Sequence, residues 1–294
     1  MYKIGIDLGG TKIEGIVLDK NLKEIFRKRI STEQEKGYDH ILNRIHLLYN
    51  ELVSSINKNT HTFGIGTPGA ISKKTGLLIN SNTNCLNNKP FLTDLERKLG
   101  KKVAIENDAN CFAMAEALMG AGKGKDLVFG VIMGTGCGGG IVYKGQLFAG
   151  LQGISGEWGH MTIDPEGPEC YCGKRGCVET FISGGGLEKL YWKTTSTKKP
   201  LKDIIADCRN SDPFAVKFLD DFFNHFGKAL SNVINILDPD VVVLGGGVSN
   251  VEELYTKGIE KVKEYVFNDT LETPIVKNKT GDSAGVWGAA LIGV

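Results

Sequence analysis

Twice along this chain an apolar, strand-like segment enters a glycine-rich turn and leaves it as a second strand-like segment. The two stretches are KIGIDLGGTKIEGIVLDKNLK over residues 3–23 and LVFGVIMGTGCGGGIVYKGQL over residues 127–147. A hairpin of this kind has an apolar face that a second layer must cover, and the helical spacing in the segments around it makes that layer helical, which points to a mixed α/β architecture. The recurrence has two explanations, an internal duplication or the coincidence of two common hairpins, and the strings alone leave both open.

The periodicities around each hairpin agree with such layers. Segments 3–7, 14–19 and 22–30 read as antiparallel strands joined by the Gly9-Gly10 turn and a turn at Lys20-Asn21. Over 38–56, Tyr38, Ile41, Leu42, Ile45, Leu48 and Leu52 recur at helical spacing. A strand at 62–66, a helix at 91–99, a strand at 103–106 and a helix at 109–119 complete a mixed α/β unit. The stretch GAGKGKD at 120–126 has no apolar period and suits a linker. Beyond the second hairpin, a helix is expected over 213–237, with Asp212 as its cap and Pro213 at its first position. A strand buried on both faces follows at 240–244 and runs into Gly245-Gly246-Gly247. A helix near 252–265, a strand near 274–277 and a small-residue helix at about 284–294 close the chain. The expected domains are 1–118, onto which the last helix can return, and 119–294.

With 294 residues, 41% hydrophobic and 23% charged, two cores are within reach and a cleft between them is expected. The net charge is +1 and the lysines and arginines are dispersed, so neither nucleic acid nor an anionic membrane is an expected partner. A strand beginning at residue 3 leaves no room for a signal peptide, and no apolar run approaches the roughly 18 residues of a membrane span, so a cytoplasmic location is expected.

Three glycine-rich turns follow apolar strands: 7–12, 134–140 and 245–247. Glycine lets backbone N–H groups approach phosphate oxygens, although each turn alone could be a plain hairpin. GTGCGG fits GxGxxG, but here the turn leads into a strand and not a helix, which excludes the dinucleotide-binding reading. Asp7 and Asp108 both end strands, where ligand sites of α/β sheets gather. Asp7 could merely satisfy a turn, and Asp108 could merely cap the helix at Ala109. As a catalytic pair they would supply a carboxylate that accepts a hydroxyl proton and one that orients Mg²⁺.

His160, Cys170, Cys172 and Cys177 form a Cys₃His set within a short loop. Three thiolates and an imidazole are the closed tetrahedral donor set of structural Zn²⁺, and a loop rich in Gly173, Gly176 and Pro168 has little core of its own. The seven cysteines are an odd number, which also favours metal or free thiols over disulfides. Glu157 and Glu179 flank this zinc loop, 157–179, either as a solvated face or as acceptors for sugar hydroxyls.

Together IGIDLGGTK, GIGTPG, ENDANCFAMAEA, GTGCGGG, GEWGHM, CYCGKRGCVETFISG and NILDPDVVVLGGG resemble the ROK family, which groups sugar kinases with sugar-responsive repressors. The resemblance spans the chain. It implies two RNase H-like domains of the actin-like ATPase superfamily with an interdomain cleft, and ATP-dependent phosphorylation of a hexose 6-hydroxyl. Asp108 matches the catalytic base. Gly69, Asn82, Asn107, Glu157, His160 and Glu179 match sugar-binding positions, so that one ring nitrogen of His160 meets zinc and the other the sugar. Asp7, Gly9, Gly10, Thr11 and Lys12 match the first phosphate turn, Gly134, Thr135 and Gly136 the second, and Gly246 and Gly247 the adenosine region. ATP, Mg²⁺ and structural Zn²⁺ are the implied cofactors, and a homodimer the implied assembly. Within the family the words look most like bacterial fructokinases, which points to fructose, with glucose, mannose and N-acetylglucosamine as alternatives. The stretch MTIDPEGPE between His160 and Cys170 is shorter than in some fructokinases. A repressor would carry a helix-turn-helix ahead of the first strand; a sugar sensor without kinase activity is the remaining alternative of another class.

Overall fold

A computed structural model describes residues 1–294, Asp282 by its backbone alone. The chain divides into two compact units, one of residues 1–118, 150–153 and 280–294 and the other of residues 119–149 and 154–279. Among the described residues no helix is long and apolar enough to cross a membrane.

The first unit opens with β1 (Tyr2–Leu8), β2 (Lys12–Leu18) and β3 (Glu24–Ser31), followed by α1 (Tyr38–Ser55) and β4 (His61–Thr67). A small hairpin, β5 (Ala70–Ile71) and β6 (Leu78–Ile79), precedes α2 (Phe91–Leu99), β7 (Ala104–Asn107) and α3 (Asp108–Leu118). β3 starts at Glu24 and not at residue 22, because Asp19 accepts hydrogen bonds from the N–H groups of Asn21 and Lys23 and Leu22 takes a left-handed φ of 61°. The sequence signal of an apolar Leu22 is thus overruled by a side-chain-bonded turn. α1 buries Ile41, Leu42, Ile45, Leu48 and Leu52 in the core with Ile4, Ile6, Ile13 and Phe63.

The second unit holds β8 (Leu127–Met133), β9 (Cys137–Tyr143) and β10 (Gln146–Leu147), then α4 (Val178–Ile182), α5 (Gly184–Thr195), α6 (Leu201–Arg209) and α7 (Pro213–Leu237). β11 (Val241–Gly245), α8 (Lys257–Tyr265) and β12 (Ile275–Lys277) complete it. Asp212 caps α7, its Oδ1 accepting from the Ala215 N–H at 2.8 Å. The single helix expected at 252–265 is two pieces: Glu252–Tyr255 is a 3-10 turn, and the backbone breaks at Thr256, with φ −122° and ψ −84°, before α8 begins. α5 starts on three glycines, which sequence propensity disfavours. Ser183 compensates by capping it through the Gly186 N–H at 3.0 Å.

The two main sheets repeat one topology. Their strand orders are β3-β2-β1-β4-β7 and β10-β9-β8-β11-β12. In each, the first three strands pair antiparallel and the last two join in parallel. Strand for strand the second sheet has the order and directions of the first, as an internal duplication would give.

The last helix, α9 (Ala284–Ile292), belongs to the first unit and packs on α3, β1 and β4. Its small residues permit backbone-level approach: a Cβ added at Gly64 of β4 would land on the Ala289 carbonyl, and one at Gly288 on the Cys111 carbonyl. Neither neighbour is a flexible side chain, so neither can give way. Gly64→Ala is therefore expected to lower stability by about 1–3 kcal/mol, read as an earlier midpoint in urea; an unchanged midpoint would contradict this packing.

Candidate active site

In the first unit the candidate residues gather at the carboxyl ends of β1, β4 and β7. The Gly9-Gly10 turn joins β1 to β2, with the Gly9 N–H donating to the Lys12 carbonyl at 2.9 Å. Thr32 fixes the turn from outside: its hydroxyl donates to the Gly9 carbonyl at 2.7 Å and its N–H to the Thr11 carbonyl at 3.0 Å. Among the described residues the N–H groups of Gly10 and Thr11 have no protein partner, and at these half-buried and exposed positions they are accessible to an anion. Lys12 is the first residue of β2. Gly69, at φ +90°, abuts the backbone of residues 79–81, which places it beside exposed Asn82. Sequence reading passed over the neighbouring Thr83, whose buried hydroxyl has no partner among the described residues and faces Gly10.

Asn107 and Asp108 end β7 and begin α3. The cap of that helix is Asn107, whose Oδ1 accepts from the Asn110 N–H at 2.7 Å, three residues on. Asp108 accepts from the adjacent Ala109 N–H, at 2.9 Å, and from its own, and its side chain remains accessible to solvent. The capping role open to Asp108 in the sequence is thus filled by its neighbour. Surrounding protein nonetheless strips enough water from Asp108 to raise its carboxyl above the usual carboxylate range.

Asp7 is the more strongly perturbed group. Burial, and after it the charges of Asp108 and Glu14, push its carboxyl up to about 6. Glu14 lies opposite Asp7 in the β1–β2 register. Burial alone would raise Glu14, but Arg27 at 2.5 Å and Arg29 at 2.8 Å hold it below its ordinary value. A charged carboxylate is thereby kept next to Asp7.

In the second unit the turn between β8 and β9 has the same character. The Gly184 and Gly185 N–H groups donate to the Gly134 and Thr135 carbonyls at 2.8 and 3.2 Å, and Gly134 donates to the Gly136 carbonyl at 2.9 Å. Among the described residues the N–H groups of Thr135 and Gly136 are left without a partner. Gly134, Thr135 and Gly247 line one pocket of about 690 Å³, together with Gly184, Gly185 and Arg209, none of which the sequence reading singled out. Gly246, at φ +78°, sits against the Met133 backbone, where any side chain would collide.

Glu179, in the first turn of α4, reaches into this turn: its Oε2 accepts from the Cys137 N–H at 3.0 Å. Glu179, Thr135 and Tyr171 share a second pocket of about 260 Å³. Glu157 and His160 flank Trp158, whose buried indole donates to the Gly138 carbonyl at 3.1 Å and meets Phe129 edge-on. Trp158 is the anchor that sequence reading missed; its partners lie some twenty residues or more upstream in the chain, on β8 and β9.

The ligand atoms of His160, Cys170, Cys172 and Cys177 all lie within 4.8 Å of one another. Cys172 Sγ is 3.6 Å from Cys177 Sγ, and Cys170 Sγ is 3.6 Å from His160 Nδ1. Vertices of a zinc–thiolate tetrahedron are about 3.8 Å apart, given Zn–S near 2.3 Å, so the donor set fits that ion. The other ring nitrogen of His160, Nε2, lies 3.0 Å from the Tyr171 hydroxyl.

A repeated five-stranded sheet with phosphate-suited turns and strand-end carboxylates defines a phosphotransferase of the actin-like ATPase fold. The description "ROK family" matches residues 3–293. An N-acetyl-D-glucosamine kinase of Histophilus somni is 38% identical over 301 aligned positions, covering 98% of this chain and 97% of that protein. The ROK hexokinase structure from Thermus thermophilus shares 30% identity with a TM-score of 0.92, over 100% of this chain and 98% of that one. A ROK family glucokinase from Streptomyces griseus, solved with glucose and AMPPNP, shares 28% identity with a TM-score of 0.77, over 100% and 99%. The chain belongs to the ROK family and is a sugar kinase, a phosphotransferase with an alcohol acceptor.

The Asp7 titration carries a stability consequence. An unfolded aspartate ionises near 3.8 and folded Asp7 near 6, so the fold holds this proton more tightly. Its contribution is complete below the unfolded value and is lost as pH rises through 6. Asp7→Asn is expected to raise the unfolding free energy by about 1–3 kcal/mol at pH 8, with the gain vanishing near pH 4. Melting curves at both pH values check this; a variant destabilised equally at both would refute it.

Proposed function

We propose that this sugar kinase transfers the γ-phosphoryl group of ATP to the 6-hydroxyl of N-acetyl-D-glucosamine. Support for that hexose over fructose comes from the relatives: the protein from Histophilus somni and several others 35–36% identical over nearly the whole chain are named N-acetyl-D-glucosamine kinases. The preference for fructose drawn from the motifs gives way to this reading.

Asp108 is the proposed base. The supporting observation is that Asn107 takes over the capping of α3 and leaves Asp108 accessible, with a carboxyl more basic than an ordinary aspartate. It accepts the 6-hydroxyl proton as O6 attacks the γ-phosphorus; the bond from that phosphorus to the bridging oxygen breaks, and ADP leaves with the electron pair. The N–H groups of Gly10 and Thr11, and of Thr135 and Gly136, receive phosphate oxygens, with Lys12 adding positive charge and Gly246 and Gly247 bordering the adenosine. Asp7 orients Mg²⁺, which when bound offsets phosphate charge. Gly69, Asn82, Asn107, Glu157, His160 and Glu179 hold the sugar and set its orientation, which is most of what such a transfer requires.

His160 Nδ1 and the thiolates of Cys170, Cys172 and Cys177 are proposed to bind one structural zinc, which when bound crosslinks a loop with little core. Elemental analysis of protein purified without added metal is expected to give one zinc per chain; a metal-free folded protein would refute the site.

Asp108→Asn is expected to keep sugar affinity within about threefold while turnover falls by at least about a hundredfold. Calorimetric sugar titration and sugar-dependent ADP release measure the two quantities. Near-normal turnover would remove Asp108 from the role of base.

A further inference from the structure

Tyr171 lies between two of the clustered cysteines, Cys170 and Cys172, yet its side chain takes no part in the thiol cluster. Its hydroxyl is 3.0 Å from His160 Nε2, and the two rings meet edge-on, 5.2 Å between centroids at 87°. Nδ1 of the same imidazole faces Cys170 Sγ. Nε2 is therefore the ring nitrogen directed away from the thiols. Were Nδ1 committed as a zinc ligand, the ring proton would reside on Nε2, and that N–H would donate to the phenol oxygen.

A sugar hydroxyl presents the same acceptor. Tyr171 is 77% exposed, so turning its side chain away sacrifices almost no packing, while the flanking cysteines keep its backbone in place. The phenol also borders the pocket that Glu179 and Thr135 line.

We propose that Tyr171 stands in for the sugar: its phenol oxygen occupies the hydrogen-bond position on His160 Nε2 that a hexose hydroxyl takes over on binding, so that Tyr171 competes with the sugar and weakens its affinity. This rests on the assignment of His160 to the sugar side of the site. Binding exchanges one hydrogen bond for another; no proton changes owner.

The exchange sets the sign of a conservative substitution. Tyr171→Phe retains the ring and removes the competitor, so the dissociation constant and KM for N-acetyl-D-glucosamine should fall about three- to tenfold, with kcat and the KM for ATP unchanged. A residue that merely supported the loop, or one that held His160 throughout the reaction, would give the opposite sign. In the wild-type protein, addition of the sugar without nucleotide should produce a tyrosine ultraviolet difference band that is absent from Tyr171→Phe. His160→Cys, which offers zinc four thiolates, should retain one zinc per chain and weaken sugar binding at least tenfold. A zinc-retaining His160→Cys with unchanged sugar affinity would overturn both the assignment of His160 and this proposal. A raised or unchanged sugar KM in Tyr171→Phe, with His160→Cys impaired, would overturn the stand-in role alone, as would a wild-type protein without the difference band.

Discussion

Two adjacent peptide N–H groups without a partner among the described residues, at Gly10-Thr11 and again at Thr135-Gly136, are the feature that the two halves of this chain share. Each turn is fixed through its other polar groups, which leaves these partly exposed donors open to an anion. Thr32 does this for the first turn and the start of α5 for the second. The sheets behind them have one strand order used twice, and each places its turn between the first and second of its antiparallel strands. One strand order thus presents donors twice, while the side chains around each copy differ: Asp7 and Glu14 in the first unit, Glu179 and the thiol and imidazole loop in the second.

Carboxylates at the first turn come at a cost to stability. Asp7 stands opposite Glu14 on the neighbouring strand and is itself desolvated; Lys12 and then Arg29 partly offset this, while Arg27 and Arg29 pair with Glu14. A core optimised for stability alone would not place two acids there. Functional sites commonly hold such unfavourable groups, offset by packing elsewhere. Close packing beside these groups includes α9, whose small residues let its backbone sit directly on β1, β4 and α3.

Much of the frame was legible in the residues. The stripe of α1, the cap and long apolar face of α7, and the strands around both glycine turns follow from local periodicity and chemistry. What sequence did not disclose depended on distant partners. Gly184 to Gly186 resemble a helix breaker until the carbonyls of Gly134 and Thr135 are seen to receive the first donors of α5. At the adjacent Asn107 and Asp108 either residue type can cap a helix, and only the bond from Asn110 assigns the task to Asn107. Trp158 gave no signal because its acceptor is a strand carbonyl at Gly138. The ligand types of the Cys₃His cluster were visible from spacing, whereas the Tyr171 contact on His160 was not, since an aromatic between two cysteines carries no periodic or motif information.

The most direct measurement of the central claim is sugar-dependent ADP release from Mg²⁺-ATP across N-acetyl-D-glucosamine, glucose, mannose and fructose, with the phosphorylated carbon of each product identified by NMR. The account predicts the highest kcat/KM for N-acetyl-D-glucosamine and phosphate on its carbon 6. Preference for fructose, phosphate on another carbon, or ADP release indifferent to sugar would contradict it.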